Sequence, residues 1–122
     1  MEFILQTKDL ELNSRRFQAT RTKLDQALDQ LASQVDRICV FLIDTNGPFL
    51  GGVDKACRIE VKIRRQDPIV LEDRDEDIDT LIDRVAGRLG AMADRRQDAS
   101  FARRSFKARY LTLNEFAESL KA

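Results

Sequence analysis

Residues 57–64 read CRIEVKIR. Cys57, Ile59, Val61 and Ile63 alternate with Arg58, Glu60, Lys62 and Arg64. That period of two gives a strand with one apolar face and one fully charged face. A sheet with one wet face is usually antiparallel. Just upstream, residues 37–44 (RICVFLID) read as a second strand, apolar throughout, which puts it inside the sheet. Between the two lies TNGPFLGGVDK, from Thr45 to Lys55. Its Asn46-Gly47-Pro48 and Gly51-Gly52 are turn chemistry. The loop is longer than a tight hairpin needs. It reads either as an element projecting toward a partner or as a plain hairpin tip.

Working outward, Glu2 to Thr7 form a short strand with Phe3 and Leu5 on one face. Asp9, Asn13 and Ser14 offer helix caps. A helix is predicted from Ser14 to Gln34, with Phe17, Leu24, Leu28, Leu31 and Val35 as its apolar stripe. On the other side, Gln66-Asp67-Pro68 is a turn and Ile69 to Leu71 a short strand. The acidic run Glu72 to Asp79 follows, then a second helix over Asp77 to Arg96. Its stripe is Ile78, Leu81, Ile82, Val85, Leu89 and Met92. Acids at its start and arginines at its end suit the helix dipole. Gly87 and Gly90 each cost about 1 kcal/mol relative to alanine and are expected where the helix approaches the sheet.

The order is β-α-β-β-β-α. Two single-stripe helices need a surface to cover, and a four-stranded sheet with one charged face supplies it. The prediction is an α+β two-layer sandwich, a four-stranded mixed sheet with both helices on one face. The first β-α-β unit is a right-handed parallel crossover and the remaining strands are antiparallel.

At 122 residues the chain holds one main domain, residues 1–97, and an appendage, residues 98–122. In the appendage, Phe101, Phe106 and Tyr110 are interleaved with Arg103, Arg104, Lys107 and Arg109. Thr112 and Glu115 form a capping box opening a short helix, whose Leu113, Phe116, Ala117 and Leu120 share a face. Such a tail docks on its own domain, on a second copy as a homodimer, or on another protein partner. No apolar run nears membrane-spanning length and the N-terminus has no signal-peptide pattern, which predicts a cytoplasmic protein without a membrane partner. Cys39 and Cys57 both fall on strands and read as reduced core residues.

Lys+Arg and Asp+Glu both total 21, so blanket affinity for nucleic acid is not expected, although charge is segregated by region. Histidine is absent, which removes the commonest general base and metal ligand. Asp73, Asp75, Asp77 and Asp79 alternate like the start of a calcium loop. The match fails, because Ile78 stands where glycine is required and Arg84 where the bidentate glutamate belongs. No phosphate-cradling loop and no activated nucleophile is present, so neither an enzyme nor a cofactor is expected. The basic residues say more. Arg84, Arg88 and Arg95, at +4 and +7, fall in a narrow arc beside the second stripe, and Arg96 extends them. Arg16 and Lys23 share a face on the first helix. A guanidinium fork suits phosphate, so this edge is a candidate RNA-binding surface beside the plainer reading of a solvated face. Arg103, Arg104, Lys107 and Arg109 suit contacts to a single strand, and the aromatics among them suit either stacking on bases or filling an apolar groove.

The chain resembles the ribosome hibernation-promoting factor and ribosome-associated inhibitor family. EFILQTKDLELNS is similar to the family's opening strand and helix cap, and Asp36-Arg37-Ile38 to its helix-to-strand junction. NGPFLGGVDKACRIEV is similar to a loop-and-strand pattern in a bacterial subgroup of ribosome-associated relatives. Asp77-Ile78, Ile82-Asp83 and Arg88-Leu89 follow the spacing of its last helix. The likeness spans about residues 1–97. It implies a double-stranded-RNA-binding-like fold and a non-catalytic factor that binds small-subunit ribosomal RNA. Such factors inhibit or protect idle ribosomes under stress or in stationary phase. By position Lys23, Arg88, Arg95 and Arg96 match the family's basic contacts; Arg16 and Arg84 join them on the helix-face argument. The chain departs from the family at Gly87, Gly90 and Ala91, where basic residues are usual, and at Asp79, where an aromatic is usual. The alternative is a protein-interaction or self-association module working through the tail.

Overall fold

The computed structural model describes residues 1–45, 54–96 and 109–121. The glycine-rich loop over 46–53 lies outside the described residues, as do Arg103, Arg104 and Lys107. The elements are β1 (Glu2–Lys8), α1 (Ser14–Ala27), β2 (Val35–Asp44), β3 (Lys55–Ile63), β4 (Ile69–Asp75), α2 (Ile78–Arg96) and α3 (Leu113–Ser119). The sheet runs β1-β2-β3-β4 in space, with β1 parallel to β2 and the other pairs antiparallel. This is the mixed sheet expected from the β-α-β-β-β-α order.

Alternation along the strands decides which side chains meet the helices. Ile38, Val40 and Leu42 of β2, Cys57, Ile59, Val61 and Ile63 of β3, and Ile69 and Leu71 of β4 form one apolar face. Onto it pack Leu24 and Leu28 of α1 and its continuation, and Leu81, Ile82, Val85, Leu89 and Ala93 of α2. The two helices run in the same direction, since Arg16 meets Asp79, Lys23 meets Asp83 and Ala27 meets Gly90.

The structure departs from the expectations in four places. First, α1 ends at Ala27, and a 3-10 turn over Asp29–Leu31 carries the chain to β2. The +3 and +4 spacing of Leu28, Leu31 and Val35 is met equally by a helix or by a tighter turn leading into a strand. Second, β4 extends through Asp75 and takes in half of the acidic run. Its Glu72 lies opposite Arg58 and its Asp75 opposite Lys55, so cross-strand charge pairing makes a strand from residues that look like a solvated turn. Third, Gly90 approaches α1 rather than the sheet. A Cβ there would lie 3.8 Å from the Ala27 carbonyl oxygen, while one on Gly87 would meet nothing within 4 Å.

Fourth, the charged face of β3 is not wet along its length. Residues 109–111 lie on it, bonded to Arg58 and Glu60, and helix α3 beyond them packs Phe116 and Ala117 on Phe41, Ile43 and Ala56. The Phe41 and Phe116 rings stack with centroids 6.1 Å apart. The Thr112–Glu115 capping box opens α3 as expected. Among the described tail residues, α3 docks on the chain's own domain.

Candidate nucleic-acid interface

The six helix cations predicted to meet RNA fall into three groups. Arg16 and Lys23 sit on the side of α1 that faces α2. Arg16 pairs with Asp79 at 3.3 Å and Lys23 with Asp83, so both tie one helix to the other. Asp79 occupies the first turn of α2, where its charge also suits the dipole.

Arg84, Arg88 and Arg96 lean over the edge strand β4. Arg84 donates from Nε to Asp73 at 2.6 Å, from Nη1 to Asp75 at 2.9 Å, and from Nη2 to the Arg74 carbonyl at 2.8 Å. Arg88 reaches the Glu72 carbonyl at 3.2 Å and Asp73 at 3.4 Å. Arg96 donates to the Asp67 and Pro68 carbonyls at 2.6 and 3.2 Å. The α2 guanidiniums thus follow the backbone of β4 and the turn before it. The Arg84 hydrogen bond holds Asp73 below the usual carboxylate range. Asp75 is lowered first by the backbone N–H of Asp77 and then by Arg84, and Arg84 itself is held more firmly protonated than a free arginine.

Arg95 stands apart. It is exposed on the same arc of α2 and has no hydrogen bond or ion pair among the described residues. The structure adds one cation that sequence reasoning passed over. Arg15 is exposed in the first turn of α1, likewise without a partner among the described residues. That turn holds no acid, and Asn13 caps it by accepting from the Arg16 N–H at 2.8 Å. Two arginines at the positive end of a helix oppose its dipole by a few tenths to about 1 kcal/mol each. That local conflict is the signal of Arg15 in the sequence.

Of the predicted tail contacts, only Arg109 is among the described residues. It is exposed and pairs with Glu115 at 3.4 Å. Neither cysteine suits a reactive site. Burial pushes the Cys57 thiol up to about 12 and Cys39 to about 11, and the two point to opposite faces of the sheet. Among the described residues, no helix is long and apolar enough to cross a membrane.

A single four-stranded mixed sheet, with two parallel helices on one face, defines the class of fold. Solved structures share it, among them the following two. One is a ribosomal subunit interface protein from Coxiella burnetii, with a TM-score of 0.66 and 12% identity over 80% of this chain and 98% of that one. The other is the Protein Y N-terminal domain from Thermus thermophilus, with a TM-score of 0.61 and 23% identity over 78% of this chain and 98% of that one. At these identities the likeness establishes the fold. No family model and no curated protein sequence matches the chain.

Proposed function

We propose that this protein is a non-catalytic, cytoplasmic ribosome-associated factor that binds small-subunit ribosomal RNA and inhibits or protects idle ribosomes under stress. One observation carries the reading: the fold covers nearly the whole of both neighbours, one of them a ribosomal subunit interface protein. The sequence resemblance points the same way. On the two helices, the described cations available to phosphate without breaking an internal pair are Arg15 and Arg95; Arg16, Lys23, Arg84, Arg88 and Arg96 line the same helical layer as pairs that phosphate would have to exchange. Such contacts recognise the shape and backbone of RNA and not its sequence. The alternative, a tail that docks on a second chain, has less support, because Phe116 is already buried against the chain's own sheet.

The test is co-sedimentation with purified bacterial ribosomes on sucrose gradients at low and moderate salt. The wild-type chain is expected with the small subunit and the intact ribosome at low salt, and released as salt rises. The Arg15→Glu/Arg95→Glu double variant touches no internal pair among the described residues, and is expected to stay at the top. A wild-type chain that stays at the top at both salts sinks the reading. A double variant that binds like wild type moves the contact to another face.

A further inference from the structure

We propose that the sheet face opposite α1 and α2 carries a binding site for single-stranded RNA, with Tyr110 as a stacking platform and Arg37 and Lys62 as phosphate contacts. Three observations converge on it. Tyr110 is 41% exposed, and apart from the N-terminal Met1 it is the large apolar side chain left open among the described residues. The Arg37 guanidinium lies 5.8 Å from its ring centroid. Bases stack on aromatic rings and on guanidinium planes alike, so the two side chains offer adjoining surfaces for a base.

Lys62 sits directly opposite Arg37 in the β2–β3 ladder. Like charges facing each other across a ladder cost stability. Lys62 is exposed and has no partner among the described residues, and no ion pair is formed by Arg37. The nearby acids are Glu2, next to Arg37 in the ladder, Asp36, 3.8 Å from Arg64, and Glu60, which is taken up by Arg58 and the Leu111 N–H. None bridges the two cations among the described residues. An anion between Arg37 and Lys62 would remove the conflict.

The aromatic is also held in place. Arg58 and Glu60, 7% and 3% exposed, pair with each other at 2.8 Å beneath the tail. Arg58 donates to the Arg109 carbonyl at 2.7 Å, and Glu60 accepts from the Leu111 N–H at 2.7 Å. These bonds grip the backbone on either side of Tyr110. A buried ion pair is a poor stabiliser by itself. Here it fixes the strap that presents the ring, so less order has to be imposed when a base arrives.

The site goes beyond the ribosome reading and is tested without ribosomes. Tyr110 is the chain's single tyrosine and there is no tryptophan, so intrinsic emission reports on this ring alone. The probe is a ten-nucleotide oligoadenylate, titrated at low salt. Stacking is expected to quench Tyr110, with the quench reversed by salt. With labelled oligoadenylate followed by anisotropy, Tyr110→Phe is expected to bind like wild type and Tyr110→Leu about tenfold more weakly or worse. Lys62→Gln removes no bond to the described tail residues, and is expected to lower the slope of log affinity against log salt by about 0.7. Unchanged emission at saturating RNA overturns the proposal, as does wild-type binding by both Tyr110→Leu and Lys62→Gln. Equal affinity for a blunt duplex of the same length overturns the single-strand assignment, because paired bases offer no free face to the ring. Quenching by a chain that does not sediment with ribosomes keeps this site and removes the previous reading.

Discussion

The two faces of the sheet are buried in different ways. The α1/α2 face is covered by side chains drawn from three strands and two helices, nearly all apolar. The α3 face is covered by a short apolar cluster of Phe41, Ile43, Ala56, Phe116 and Ala117, with the Arg58–Glu60 pair shut in beside it. The first is a core in the ordinary sense, where transfer of apolar surface from water dominates. The second is a lid closed over polar side chains, in which apolar gain is offset by the desolvation of two charges. The difference suggests that α3 opens at lower cost than the main domain unfolds.

Truncation gives the largest test of that contrast. Leu89→Ala is expected to lower the stability of the whole domain by about 2–5 kcal/mol, read by urea unfolding at 222 nm. Phe116→Ala is expected to move that transition less, while amide protection over residues 111–120 is lost. Equal losses of global stability would show that both faces unfold as one unit. Next in size is Glu60→Gln, which keeps an acceptor for the Leu111 N–H and removes the charge facing Arg58. It is expected to weaken α3 docking by about 1–3 kcal/mol in native-state hydrogen exchange, with no effect on α2. Weakening of both helices together would erase the distinction.

Acid provides a third test, with its sign set by the carboxylates. Asp73 and Asp75 beside Arg84, and Glu115 in the α3 cap, all have lowered folded pKa values. The unfolded chain therefore holds its protons more tightly than the folded one. The stability these groups contribute is present in full above their unfolded values near 4, and is lost as pH falls through the lower folded values. With no histidine in the chain, stability is expected to be level from pH 5 to 8 and to fall below pH 4. Residues 111–120 are expected to lose protection at a higher pH than β3, and simultaneous loss would count against a separate lid. The smallest effect belongs to Gly87→Ala. A methyl there meets nothing, so a gain of about 1 kcal/mol is expected in the main transition alone, read by the same urea unfolding.

Much of the fold was legible because its signals are local. Alternation in β3 and the stripes of α1 and α2 each declare a buried face from neighbouring residues. The reach of β4 was not legible, since Glu72–Asp75 becomes strand through partners some 14 to 20 positions away in β3. Cover on the charged face was hidden for a related reason. Alternation says which side chains point outward, but not that the segment from Arg109 to Leu111, some fifty residues later, will lie on them. In the candidate interface, helix phase did bring Arg84, Arg88 and Arg95 to one arc. It could not say that Asp73 and the β4 carbonyls already hold two of them, because those partners are brought there by the fold and not by the helix.

The arginines along β4 also make the two borders of the sheet unlike. Arg84 and Arg88 occupy carbonyls of that strand, and Arg96 occupies those of the turn leading into it. No described side chain hydrogen-bonds to the backbone of β1. Among the described residues, the border freer for backbone pairing with another molecule is therefore β1. Two copies meeting there would consume both open borders at once and stop at a closed twofold pair, whereas a sheet open on both sides could go on adding chains into a fibre.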